Sequence, residues 1–370
     1  MKHSLERFKP LSKRPEPTVS DTSPSYKVLL HKQSRANIDQ YLRQLIDGRS
    51  TPGLYLSQQI KKSGINELKA INGNTLLHLL LKTKFPQIFA EMAVYGDGSD
   101  WTREELKLLG DIGIACKVTI YDDGRHQNPN VHETAFEGYL LFTPGALLRN
   151  GRDHTPVDWD VVDQNCEIDL EKYYELYERR LLPLFIYANT ESKQLGKKAI
   201  ITIPGIGCGQ FAGQFSEQLG EKLEKVLERL LTTYRAQLDA LALVYFDPYQ
   251  ECIPKTYDIE GLSFVVNPQI KAIKKLNQLC PPHTYLNNHT SNTDLMLFSF
   301  VAWDHVSWPG NDFYQGIRAT DDGVKAAATN CMEIITGIKG SYDLTENCYL
   351  PPKPFNTWFE LIVKYQKNLI

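Results

Sequence analysis

The run Ile201-Thr202-Ile203-Pro204-Gly205-Ile206-Gly207-Cys208-Gly209-Gln210-Phe211-Ala212-Gly213 decides the reading of this chain. A short apolar stretch ends in a glycine-dense bend, and a long amphipathic helix is expected directly after it. Strand, tight turn and helix in succession are the building unit of an α/β sheet. Such a bend presents bare backbone N–H groups at a helix N-terminus, a seat for a phosphate or diphosphate. Glycine permits close approach of an anion and positive φ. The bend is not a P-loop, because no Gly-Lys-Ser/Thr follows, and Gln210 stands where a dinucleotide fingerprint needs its third glycine. A tight strand-to-helix turn without a ligand is the competing reading.

Working outward, Phe215, Leu219, Leu223, Val226, Leu227, Leu230, Leu231 and Tyr234 form a stripe of helical period. Residues 199–203, 241–246, 262–266 and 296–302 read as strands. Residues 170–182, 270–279 and 324–336 read as helices. Residues 116–121 and 138–143 read as an antiparallel pair, with Asp122-Asp123-Gly124 as a turn signal. The order argues for an α/β fold, a mixed sheet sandwiched by helices, with ligands held beyond the carboxyl ends of strands.

Residues 1–30 read as a flexible tail, rich in Lys, Ser and Pro up to residue 26. Residues 31–110 read as a helical N-terminal extension, with Ser34 as a candidate cap and Gly48 as a stop. Asn72-Gly73-Asn74-Thr75-Leu76-Leu77-His78-Leu79-Leu80 looks like the start of an ankyrin repeat, but no second copy follows and an ordinary buried helix is the simpler reading. Residues 350–370 read as a Pro-bounded helix.

The 370 residues carry 42% hydrophobic and 23% charged side chains and a formal charge of −3, which favours neither nucleic acid nor anionic lipid. No apolar run approaches the roughly 18 residues of a membrane span, and the basic N-terminus lacks the apolar core of a classical signal peptide. The seven cysteines show no C-x-x-C pair and read as scattered reduced thiols.

Two further stretches carry chemistry. Phe246-Asp247-Pro248-Tyr249 places an aromatic and a carboxylate after a strand, suited to stacking on a purine and accepting from its amine; Asp-Pro is also a common turn opening. The loop from Trp303 to Gly323 holds Asp304, Asn311, Asp312, Asp321 and Asp322 among two tryptophans and Pro309-Gly310, a costly composition for a mere connection. Asp321 or Asp322 would also cap the helix near Val324. Asp304, Asp312 and Asp322 converging on one volume can bind a divalent cation, grip ribose hydroxyls, or orient water against a cationic sugar transition state. A diphosphate cradle beside such a loop suits ADP-ribose.

The stretch 204–213 resembles the diphosphate loop of macrodomains and their glycohydrolase relatives. Ala302-Trp303-Asp304-His305, Pro309-Gly310-Asn311-Asp312-Phe313 and Asp321-Asp322-Gly323 resemble the catalytic loop of the MavL-type Legionella effectors, macrodomain-like ADP-ribosylhydrolases. Ordinary macrodomains place an Asn-rich catalytic loop before the diphosphate loop; here the acidic loop follows it. The resemblance implies a macrodomain-like catalytic domain over residues 111–370. It implies that Asp304, Asp312 and Asp322 are the active carboxylates: Asp304 and Asp312 would contact the distal ribose and the attacking water, and Asp322 would hold a ribose hydroxyl or complete the acidic field, with the loop spacing leaving open which of them is the base. Gly205, Ile206, Gly207, Cys208, Gly209, Gln210, Phe211 and Gly213 would hold the diphosphate, Phe246 and Asp247 would face the adenosine, and Trp303 and Asn311 would line the ligand. The implied reaction removes ADP-ribose from arginine of ADP-ribosylated ubiquitin, with host ubiquitin-pathway proteins as further partners and the host cytosol, reached as a secreted effector, as the place of action. It implies no metal or other cofactor, although arginine ADP-ribosylhydrolases of another fold use paired Asp residues with Mg²⁺. A non-catalytic ADP-ribose reader is the leading alternative. A cysteine hydrolase built on Cys208 and an interaction scaffold built on the ankyrin-like start are two more.

Overall fold

The computed structural model describes residues 25–87, 100–151, 154–271, 276–286 and 294–366. Its centre is an eight-stranded mixed sheet in the order β1 (Lys27–Leu29), β2 (Gly113–Asp122), β3 (Val131–Pro144), β8 (Leu295–Trp303), β4 (Lys198–Pro204), β5 (Leu241–Asp247), β7 (Leu262–Val266) and β6 (Lys255–Ile259). The five strands from β3 to β7 are parallel, and β1, β2 and β6 pair antiparallel at the two sides. Strand β8 is buried at every position but Ala302, as a central parallel strand covered on both faces must be.

One face carries α5 (Leu170–Leu195) and α6 (Leu219–Thr233), which pack with the β4 and β5 side chains Ile201, Ile203 and Val244. The α6 stripe is the one read from sequence. Helix α5 is capped by Asp169, passes through Pro183 and ends at Gly196 in the left-handed conformation. The other face carries α1 (Lys32–Ile46), α2 (Leu54–Lys62), α3 (Gly73–Leu81), α4 (Arg103–Gly110), α7 (Asp321–Ala327), α8 (Cys331–Thr336) and α9 (Trp358–Tyr365). Their apolar sides join one core, in which Ile38 and Leu80 of the N-terminal region meet the same cluster as Trp308 and Met332.

Several expectations are corrected here. The last residues assigned to the tail form β1, because the edge of β2 offers unpaired backbone groups at Gly113–Ala115; residues 1–24 lie outside the described residues. His31, not Ser34, caps α1, and Ser34 sits one turn inside with its hydroxyl donating to Asp111 at 2.9 Å. Gly48 does end that helix, at φ +70°. The ankyrin-like stretch is a single helix, α3, capped by Asn72 and buried through its leucines. The expected helix 270–279 is a turn at Ile270 and Lys271 and irregular backbone from Leu276, with residues 272–275 outside the described residues. There Asn277 and Gln278 bond outward to Asp123, Tyr285 and Thr202 instead of along a helix. The expected helix 324–336 breaks between α7 and α8, where Ala328 and Asn330 give their polar groups to the backbone of Thr119 and Tyr121. The expected C-terminal helix is α9, and residues 367–370 lie outside the described residues. Among the described residues no helix is long and apolar enough to cross a membrane.

The amphipathic helix does not follow the glycine bend at once. A 3-10 turn, Gln210–Phe215, intervenes, and the α6 amide of Gly220 is taken by the Glu251 carboxylate. The bend itself is pinned from α5: the Tyr177 hydroxyl donates to Ile206 O at 2.6 Å and accepts from Ala146 N–H at 3.1 Å. Gly207 has φ +79°, and a Cβ there would lie 2.5 Å from that hydroxyl, so packing as well as backbone conformation demands glycine. Tyr177→Phe leaves the Ile206 carbonyl and the Ala146 amide buried without this partner. It is expected to cost about 1–3 kcal/mol in denaturant unfolding, with a loss under about 0.5 kcal/mol, the range of an ordinary surface change, counting against the hydroxyl as the pin.

Candidate ADP-ribose site

Strands β3, β8, β4 and β5 end together. Pro144 is paired with Trp303, Pro204 with Asp247, and β4 runs beside β8 with Thr202 opposite Ser299. The loops after these strands therefore leave from one edge of the sheet, the carboxyl edge where open α/β sheets bind ligands. The glycine bend and the acidic loop meet there: the Phe211 ring centroid is 6.2 Å from that of His305. Gly145, whose N–H reaches Trp303 O at 3.4 Å, packs so closely on Gly207 that a Cβ would lie 2.4 Å from its nitrogen.

In the bend, Ile206 and Cys208 donate to Pro204 and Gly205 carbonyls. The N–H groups of Gly209, Gln210 and Phe211 have no acceptor among the described residues, and Gly209 and Gln210 are exposed. Arg149 donates to the Gln210 side chain at 2.8 Å and adds a positive charge beside these amides. A cavity of about 480 Å³ opens past the far end of the bend, between Arg149, His154, Trp159 and Gly213. Cys208 is buried, and burial pushes its thiol well above the usual range, against a thiolate nucleophile.

The acidic loop is held by its own carboxylates. Asp304 Oδ1 accepts from Val306 and Ser307 N–H at 2.7 and 2.6 Å, and Asn311 donates to its Oδ2 at 3.1 Å. Asp312 accepts from Ala319 N–H, Thr320 N–H and the Thr320 hydroxyl, and a Cβ on Gly323 would collide with it. Asp312 is thus a buried brace between the loop and the first turn of α7. Asp322 differs. Its Oδ1 accepts from Gly310 N–H at 2.7 Å, while its buried Oδ2 has no partner. Burial pushes its carboxyl well above the usual range, and the charges of Asp312 and Asp304 push the same way, so the three expected carboxylates do share one volume. Neither Asp321 nor Asp322 caps α7; Thr320 does, with its hydroxyl accepting from Gly323 N–H at 3.0 Å. Asp321 instead accepts from Ala302 N–H and the buried Lys325 ammonium.

The adenosine-end expectation changes in one residue. Phe246 is fully buried in the core beneath α5 and α6, so its ring is packed away; the exposed aromatic of that turn is Tyr249, at 56%. Asp247 accepts from Tyr249 and Gln269 N–H at 2.8 and 2.9 Å and shapes the turn, as an Asp-Pro opening does. Pro248 abuts Gly205, which puts this turn against the glycine bend. Trp303 is also inside the core, stacked edge-on to Phe142, with its indole N–H unpartnered.

Residues 26–355 match the family described as macrodomain effector MavL. The chain belongs to that family. No curated protein matches it. Membership places the chain among macrodomain effectors and points to ADP-ribose binding or processing. Among the described residues no group of three or more His, Cys, Asp or Glu is arranged to hold a metal ion.

Four supports of this macrodomain site were not singled out in the sequence: Arg180, Asp158, Asp111 and Lys84. Arg180, 2% exposed, donates to Asp158 at 2.8 Å, to Gly145 O at 2.8 Å and to Asp111 at 3.4 Å. His305 Nε2 lies 3.4 Å from the second oxygen of Asp158. Burial alone would raise Asp158, but Arg180 and His305 hold its carboxyl well below the usual range. Burial lowers His305, which favours its neutral form. A charged residue inside an otherwise apolar helix face was the available signal at Arg180; Lys84 offered none.

Two outcomes test this electrostatic picture. Arg180→Met leaves the buried Asp158 carboxylate without its cation, while Asp111 keeps Arg179 at 3.1 Å, and is expected to cost about 3–5 kcal/mol in equilibrium unfolding. Asp322 has a folded pKa above its unfolded one, so its stabilising contribution is complete below about pH 4 and lost as pH rises through the folded value. Asp322→Asn is therefore expected to melt above the wild type at pH 8, with the difference closing toward pH 4; a variant that melts lower at pH 8 counts against the buried, unpartnered carboxylate.

Proposed function

We propose that this protein hydrolyses the bond between ADP-ribose and arginine on a modified protein, with arginine-linked ADP-ribosyl-ubiquitin as substrate, and releases free ADP-ribose. The observation that carries the reading is the meeting of the glycine bend and the acidic loop at one sheet edge, marked by the Phe211–His305 contact. A ligand held at both ends needs such a pair. The amides of Gly209, Gln210 and Phe211, with Arg149 beside them, would bind the diphosphate. Tyr249 in place of Phe246 would stack at the adenosine end, where Asp247 holds the turn.

At the other end Asp322 is the base. One oxygen is oriented by Gly310 and the other is unpartnered, and burial, which raises the carboxyl, makes it a stronger proton acceptor. Water attacks C1″ of the ribose, its proton passes to Asp322, and the C1″–N bond breaks with its electron pair going to the guanidine. The same proton then neutralises the departing nitrogen. The charge of Asp304, fixed by Asn311 and two amides, stabilises the oxocarbenium-like state. Asp312 braces the loop and acts on the reaction through Asp322. The reading assigns no cofactor, and turnover retained in excess chelator is the expected result. Action on ubiquitin and its pathway in a host cell belongs to the same proposal, in keeping with an effector family.

Asp322→Asn is expected to lower the rate of ADP-ribose release by about 10²–10⁴-fold while ADP-ribose still binds in calorimetry. A wild-type protein that binds ADP-ribose and releases none from arginine-modified ubiquitin is a reader, and the hydrolase assignment is then lost. Tyr249→Ala is expected to weaken ADP-ribose by several-fold and leave ribose 5-phosphate binding unchanged; equal loss for both ligands removes Tyr249 from the adenosine end.

A further inference from the structure

Lys84 comes from the N-terminal region, just after α3, yet it is built into the acidic loop. Phe85 N–H donates to Val306 O at 2.8 Å, Trp308 N–H to Phe85 O at 2.7 Å, and the Trp308 indole to Lys84 O at 2.9 Å. This short ladder turns the Lys84 side chain under the loop, where it is 4% exposed. Its ammonium donates to His305 O at 2.5 Å, lies 3.4 Å from Asp304 O, and sits 4.0 Å from the Trp303 ring centroid. No carboxylate bonds to it directly. An ammonium buried in this way is costly unless charge of the opposite sign is close. The titratable groups that act on it are Asp304 and Asp322, and it acts in turn on His305.

We propose that Lys84 is a positioning residue for the reaction, the internal counter-charge through which the acidic loop keeps the Asp322 carboxylate available as a base. The kinetic consequence rests on the hydrolase reading; the placement of Lys84 inside the acidic loop rests on its bonds to the His305 and Asp304 carbonyls, and the charge coupling on the opposing charges of Asp304 and Asp322 that act on it there. Burial lowers Lys84 to about 7 while Asp304 and Asp322 oppose that shift, so its charge changes near neutral pH. Below that range Lys84 is charged and favours ionised Asp322; above it the support fades. Loss of the cation pushes the Asp322 carboxyl further up, and the fraction of active base at a given pH falls.

Two measurements test this on the full chain. In the first, kcat/KM for release of ADP-ribose from arginine-modified ubiquitin is followed against pH. Lys84→Met is expected to move the acidic limb upward by about one pH unit, and Lys84→Arg to restore the wild-type limb. A folded Lys84→Met variant with an unchanged profile overturns the proposal, since a role in packing alone would change the rate without moving the limb. The second needs no turnover and no Lys84 variant. The ε-carbon resonance of Lys84 in lysine-labelled protein is titrated in the wild type and in Asp322→Asn. The midpoint is expected to fall by about one unit in Asp322→Asn; an unmoved midpoint overturns the coupling. A wild type that releases no ADP-ribose sinks the hydrolase reading, and the second titration still decides on Lys84.

Discussion

The site depends on one buried guanidinium. Arg180 reaches from α5 to Asp111 at the end of α4, to Asp158 and Gly145 in the loop after β3, and toward His305 in the acidic loop. Four segments far apart in sequence are thereby referred to a single point. Desolvating such a group costs several kcal/mol, so the network is better understood as fixing one arrangement than as adding net stability. Once it is formed, removing Arg180 strands the buried Asp158 carboxylate, and the loops at the carboxyl edge have no cheap alternative placement.

Against that rigid support the acidic loop is left incompletely satisfied. The buried polar atoms without a partner include Trp303 Nε1, His305 Nδ1, Ser307 Oγ and Asp322 Oδ2, all within one short stretch. Elsewhere the same loop is saturated: Asp304 and Asp312 have both oxygens engaged. Natural proteins satisfy nearly all buried polar groups, and exceptions gather where function needs an unsatisfied group. The contrast between a saturated Asp312 and an unsaturated Asp322 separates a brace from a carboxylate with one oxygen still open, a distinction that residue type alone does not carry.

Much of the fold was legible because strands buried on both faces read as unbroken apolar runs. The strands around 199–203, 241–246, 262–266 and 296–302 and the α6 stripe needed only the apolar pattern, and the glycine bend marked the carboxyl edge of the sheet. The failures were local. The helices expected at 270–279 and 324–336 have helical composition, but side chains and carbonyls there found partners on β2, Thr202 and Asp123, and tertiary hydrogen bonding overrode propensity. Phe246 was misplaced because β5 is a central parallel strand buried on both faces, which takes its ring into the core, whereas Tyr249 lies in the turn beyond the strand and stays exposed. The Arg180 network and Lys84 were invisible for a different reason: they are long-range contacts, and a single sequence without a pattern at either end does not announce them.

The pairing of Lys84 and Phe85 with the acidic loop joins residues 221 positions apart. A closure of that span is slow relative to local helix formation, and it cannot begin until most of the chain has emerged from the ribosome. The sheet and α5 can assemble first, with the glycine bend already shaped by Tyr177. The carboxylate loop acquires its final form only when the segment after α3 docks on it, so the shape of this edge is a property of the nearly finished chain and is withheld from shorter precursors.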